Sequence, residues 1–132
     1  PIGKARTVRS GDDVTIITYG AAVHWALETL AKYPEISAEL LDLRTLLPLD
    51  TAAIFSAVSK TGRVIILHED TLTGGIGGEI AALIAKECFS SLDAPIYRCA
   101  SLDTPVPFAT ALEKNFLARS RFEDSLLELL EY

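Results

Sequence analysis

The chain has 132 residues, 49% of them hydrophobic and 23% charged, with a formal net charge of −6. That is enough polypeptide for one domain with a real core and too little for two, and its acidic balance argues against a nucleic-acid surface, which needs clustered Lys and Arg. No apolar run nears the ~18 residues of a membrane span, and the Pro-Ile-Gly-Lys opening lacks an apolar signal core, so secretion is not expected.

In chain order, Lys4 to Arg9 alternates and predicts an edge strand, and Ser10-Gly11-Asp12-Asp13 is a turn cluster. Val14 to Tyr19 is apolar on both faces, as a buried strand is. Ala21 to Tyr33 predicts a helix with Val23, Ala26, Leu27, Leu30 and Ala31 on one face, stopped by Pro34. Ile36 to Leu43 is a second buried strand, and Arg44 to Leu49 connects it to a helix. Asp50 caps that helix, which runs through Val58 and is closed by Gly62. Arg63 to Leu67 is a short β-branched strand. A polar, glycine-rich turn follows, His68-Glu69-Asp70-Thr71-Leu72-Thr73-Gly74-Gly75, and then a helix from Gly75 to Cys88. Ser90 to Pro95 is a loop, Ile96 to Ala100 a further strand that Leu102 extends, and Asp103 to Pro107 a turn stiffened by two prolines. Phe108, Leu112 and Phe116 predict a short helix. Phe122, Leu126, Leu129 and Leu130 line a last one.

Strands alternating with helices predict a three-layer α/β/α domain. Its sheet is mostly parallel and five-stranded, with one antiparallel edge strand. Cys88 and Cys99 form no Cys-x-x-Cys pair and read as small buried residues of a reducing compartment. Methionine is absent. Residues 1–132 are therefore expected to be one domain of a longer polypeptide, with further function upstream.

Binding sites of open parallel sheets collect at the carboxyl ends of strands, so the His68–Gly78 segment marks the expected working edge. Gly74-Gly75-Ile76-Gly77-Gly78 could cradle a phosphate at a helix N-terminus, yet it matches neither the dinucleotide nor the P-loop spacing. A sharp turn with close helix-to-sheet packing is the simpler account. His68 beside Glu69 and Asp70 could serve as an acid or base; a solvent-facing or interface loop explains it with fewer assumptions, because no nucleophile completes the pair. His24, Glu28 and Lys32 read as a surface stripe. Asp42 and Arg44 read as a structural pair at a strand end. Glu123, Asp124, Glu128 and Glu131 read as a solvated helix face.

Tyr19-Gly20-Ala21-Ala22-Val23-His24, Asp42-Leu43-Arg44-Thr45-Leu46 and Pro48-Leu49-Asp50 resemble the carboxy-terminal domain of transketolase-like thiamine enzymes. His68-Glu69 with Thr73-Gly74-Gly75-Ile76-Gly77-Gly78-Glu79-Ile80, then Leu92-Asp93-Ala94-Pro95, then Asp103-Thr104-Pro105-Val106-Pro107-Phe108-Ala109 with Leu112-Glu113, narrow the resemblance. Together they resemble the β part of the E1 component of 2-oxo acid dehydrogenases. The branched-chain, 2-oxoisovalerate type fits best and pyruvate dehydrogenase follows. The Asp-Thr-Pro-Val-Pro-Phe segment speaks against transketolase proper and deoxyxylulose phosphate synthase.

The resemblance implies an oxidoreductase of a multienzyme complex, in branched-chain amino acid catabolism. It decarboxylates a 2-oxo acid and passes the acyl group to lipoyl-E2 with thiamine diphosphate and Mg²⁺. These cofactors would be bound outside this chain, so no catalytic, cofactor-binding or metal residue is assigned within it. The implied partners are a second E1 β part, the E1 α part and the subunit-binding domain of E2, the last touching Asp93 and Tyr132. His68, Glu69, Gly74 and Gly75 would form an interface loop at the sheet edge. The implied location is the bacterial cytoplasm, or the mitochondrial matrix in a eukaryote. The competing reading is a stand-alone anion- or nucleotide-binding module using the glycine turn.

Overall fold

A computed structural model describes residues 1–105 and 108–132. Its elements are β1 (Arg6–Arg9), β2 (Val14–Thr18), α1 (Ala21–Lys32), β3 (Ala38–Asp42), α2 (Thr51–Thr61), β4 (Val64–Thr71), α3 (Ile76–Glu87), β5 (Tyr97–Ser101), α4 (Thr110–Phe116) and α5 (Arg119–Leu129). One sheet runs in the order β1-β3-β2-β4-β5. β1 pairs antiparallel with β3 and the other pairings are parallel. This is the expected three-layer architecture, with the antiparallel strand at the edge.

Period-two alternation sorts the strand residues onto two cores. Val14, Ile16, Leu40, Ile65, Leu67 and Cys99 face α1 and α5, meeting Trp25, Leu30, Phe122 and Leu126. Ile17, Leu41, Val64 and Ile66 face α2 and α3, meeting Ile54, Val58, Ile80 and Ile84. Burial on both faces is what makes these strands read as continuous apolar runs. Cys88 and Cys99 are both free and buried.

Several boundaries differ from the sequence reading. β4 does not stop at Leu67. It continues through Thr71, whose partner across the sheet is Ser101, and Ser101 Oγ donates to the Glu69 carbonyl. His68, Glu69 and Asp70 are therefore strand residues, which polar composition disguised as a turn. β3 begins at Ala38, because the Ile36 amide is committed to a turn bond with the Tyr33 carbonyl at 3.1 Å. α2 extends to Thr61 and ends, as expected, at Gly62 in the left-handed region (φ 74°).

Phe108 and Leu112 stand out in solvent, and only Phe116 turns inward from α4. Phe116 is therefore core and not part of an exposed apolar face. The expected proline-stiffened turn includes Val106 and Pro107, which lie outside the described residues.

Candidate functional site

The residues singled out from sequence fall on two opposite edges of the sheet. At the carboxyl edge β4 carries His68 inward, 1% exposed, on the face covered by α3. The His68 Nδ1 lies 3.1 Å from the Asp70 carbonyl, which can only accept, so Nδ1 carries the proton. The Nε2 then accepts the Gly77 N–H at 3.1 Å. Gly75, at the N-cap of α3, makes no side-chain cap. The imidazole replaces that cap from a neighbouring strand and satisfies one of the orphan donors of the first turn. Burial pushes its pKa below the usual value, against the pull of Asp70.

The glycines follow from this arrangement. A Cβ on Gly77 would lie 2.6 Å from His68 Nε2, and one on Gly75 would lie 2.7 Å from His68 Cε1. Close helix-to-sheet packing is thus their role. Gly74 is exposed in the turn at φ 80°. Both residues are strand and not loop, and His68 is buried and not solvent-facing, which corrects that part of the expected solvent-facing or interface loop; Glu69 remains exposed. Tyr19, from the end of β2, packs 6.3 Å from the His68 ring. Its phenol is pushed up, first by burial and then by the charges of Asp70 and Glu69. Asp103 closes this edge by accepting from the Thr73 amide (2.8 Å) and hydroxyl. Those bonds hold its carboxyl below the usual range.

The Gly77 amide is already paired, and Glu69 and Asp70 stand exposed beside the strand end. Among the described residues no three His, Cys, Asp or Glu side chains converge as a metal site requires.

The amino edge holds the other group. Asp93 donates its amide to the Gly62 carbonyl at 2.8 Å. Arg63 Nη2 donates to the Tyr132 carbonyl at 2.6 Å. Tyr97, opening β5, meets the Tyr132 ring edge-on with centroids 6.3 Å apart. Burial and the bond to Tyr132 raise the Tyr97 phenol to about 12. Asp93 and Tyr132 are thus brought to one corner through the adjacent residues Gly62 and Arg63. Sequence reading assigned Gly62 only as a helix end and gave Arg63 no role. Their adjacency to a strand start was the one available signal.

Elsewhere, Arg44 makes no ion pair with Asp42. It sits exposed at φ 61° and gives its amide to Asp42 Oδ1 at 3.1 Å. His24, Glu28 and Lys32 are exposed, as expected of a surface stripe. Glu28 meets Arg119 at 2.7 Å and Lys32 meets Glu123 at 3.0 Å, tying α1 to α5.

Residues 3–121 match the family model described as transketolase, C-terminal domain. Across its whole length the chain is 47% identical to the 2-oxoisovalerate dehydrogenase subunit beta of Bacillus subtilis (strain 168), spanning 42% of that protein. Across 86% of its length it is 42% identical to the pyruvate dehydrogenase E1 component subunit beta of Rickettsia bellii (strain RML369-C), spanning 36% of it. The fold matches a split gene transketolase solved as an inactive β4 tetramer, at TM-score 0.80 and 24% identity, over 98% of this chain and 42% of that one. The chain therefore spans less than half the length of these relatives.

Proposed function

The chain belongs to the transketolase C-terminal domain family, and from that premise we propose that residues 1–132 are the assembly and docking domain of a thiamine diphosphate-dependent 2-oxo acid dehydrogenase E1. The chemistry is oxidative decarboxylation of a branched-chain 2-oxo acid with acyl transfer to lipoyl-E2. Similarity to a 2-oxoisovalerate dehydrogenase β subunit at 47% identity across the whole length of the chain supports the branched-chain type, although an acetoin oxidoreductase β subunit is equally identical over 89% of it. Thiamine diphosphate and Mg²⁺ are held outside this chain. The paired amide and exposed carboxylates of the carboxyl edge support that placement. In a bacterium the complex is cytoplasmic; in a eukaryote it lies in the mitochondrial matrix.

The partners are the E1 α part, a second E1 β part and the subunit-binding domain of E2. Phe108 and Leu112, both exposed, offer apolar surface for a protein contact in addition to the E2 site. The observation that carries the docking reading is the amino-edge corner. Asp93 and Tyr132 are 39 residues apart in sequence (132 − 93) and are held by the neighbouring residues Gly62 and Arg63. Asp93 is exposed and makes no ion pair among the described residues. Its charge is open to a basic side chain.

The test is the affinity of the full-length α/β enzyme for the isolated subunit-binding domain of its E2. Asp93→Asn should weaken it roughly tenfold, chiefly where salt is low. Unchanged binding would remove the docking role. Micromolar binding of thiamine diphosphate, NAD or ATP by residues 1–132 in calorimetry would favour the anion-binding module instead.

A further inference from the structure

We propose that Gly62 and Arg63, at the junction of α2 and β4, are positioning residues that hold Asp93 and Tyr132 ready for a basic partner, an inference that rests on the docking reading above. Gly62 closes α2 at φ 74°, with its amide on the Val58 carbonyl at 2.9 Å and its carbonyl receiving the Asp93 amide at 2.8 Å. A Cβ there would come 3.0 Å from Asp93 Cγ and closer still to Oδ2. The Asp93 carboxylate therefore lies directly over the glycine, in space that any other residue would occupy. Glycine serves twice at this position: it reaches the left-handed backbone cheaply, and it leaves room for the carboxylate.

Arg63 acts on the second contact. Its Nη2 holds the Tyr132 carbonyl at 2.6 Å, and its Nε is buried without a partner among the described residues. Tyr132 remains 56% exposed while Tyr97 meets one edge of its ring. The guanidinium is committed to a carbonyl and makes no ion pair with Asp93. Neighbouring residues therefore hold an open carboxylate, through Gly62, and an accessible aromatic residue, through Arg63. Basic side chains of one partner fit the two, with a charge on Asp93 and a stem or guanidinium plane on Tyr132.

The experiment measures binding of the full-length α/β enzyme to the lysine- and arginine-rich subunit-binding domain of its E2, at fixed salt. Gly62→Ala should weaken binding about tenfold alone and less than about twofold on an Asp93→Asn background, because the charge it would misplace has then already been removed. Arg63→Leu should weaken it several-fold alone and add little to Tyr132→Ala, with Arg63→Lys, which keeps a donor, recovering part of the loss. Exchange of the Asp93 amide, faster in Gly62→Ala, reports the displaced loop directly. Equal losses on both backgrounds would show a merely structural effect and overturn the proposal. If Asp93→Asn alone leaves binding unchanged, the docking reading fails and this one with it. If Gly62→Ala does not fold, the Arg63–Tyr132 cycle decides by the same criterion.

Discussion

The His68 imidazole, on β4, accepts the Gly77 amide at 3.1 Å and so caps α3 from the neighbouring strand. His68 is neutral by geometry: Nε2 must stay an acceptor for the Gly77 amide, and protonation would set two donors face to face beside the positive end of α3. Its folded pKa lies below the unfolded value of 6.5. The unfolded chain therefore takes up the proton first as pH falls, and stability drops from about pH 6.5 downward until the folded pKa is passed. Urea midpoints at pH 7.5 and pH 5.5 should show this fall, and His68→Gln should flatten it; an unchanged slope would contradict the capping role. Gly77→Ala tests the same contact sterically. Alanine favours a helix by up to about 1 kcal/mol, but crowding the imidazole costs about 1–3 kcal/mol. The strain should win and the protein should be destabilised. On a His68→Ala background the sign should reverse, since the ring has gone.

Among the elements, α2 is tied at both ends, and the ties organise the sheet margins. Asp50 Oδ1 accepts from Ala53 at 3.2 Å as an N-cap, while its Oδ2 accepts from Ala5 at 2.8 Å and anchors the entry to β1. The bond from Ala5, then the cap, hold its carboxyl below the usual range. Asp50→Ala should cost about 1–2 kcal/mol and speed amide exchange at both Ala5 and Ala53. Faster exchange at Ala53 alone would show that β1 entry is held by other contacts. At the amino edge, Glu39 accepts from Gly11 at 3.0 Å and from Lys60 at 2.9 Å. These bonds lower its pKa against the opposing effect of burial, its largest influence. Its contribution is present above the ordinary carboxylate range and is lost as pH falls through the depressed folded value.

At the scale of residues 1–132, a net charge of −6 would act on encounter with a basic partner more than on tightness. The association rate with a basic docking domain should fall as salt is raised, while dissociation changes little. Stopped-flow rates across ionic strength check this, and a flat association rate would count against a basic partner. In the full enzyme, 2-oxoisovalerate should be turned over with a higher kcat/KM than pyruvate. The reverse order would assign the pyruvate type. Residues 1–132 alone, given thiamine diphosphate, Mg²⁺ and an artificial acceptor, should not turn over either acid.

Local pattern sufficed for the alternation of strands and helices, the antiparallel edge strand, the ends of α2 and the burial of both cysteines, because apolar periodicity and turn residues act over a few positions. It failed at His68–Thr71, where polar side chains sit on a strand whose continuation depends on Ser101, thirty residues on from Thr71 (101 − 71). It failed again at Phe116, which shares its spacing with Phe108 and Leu112 but alone finds the core. Asp93 and Tyr132 enter singly, as the partner contacts that family resemblance implies. Their meeting at Gly62 and Arg63 was decided by tertiary structure, because the distance between residues far apart in sequence is set by how the layers pack.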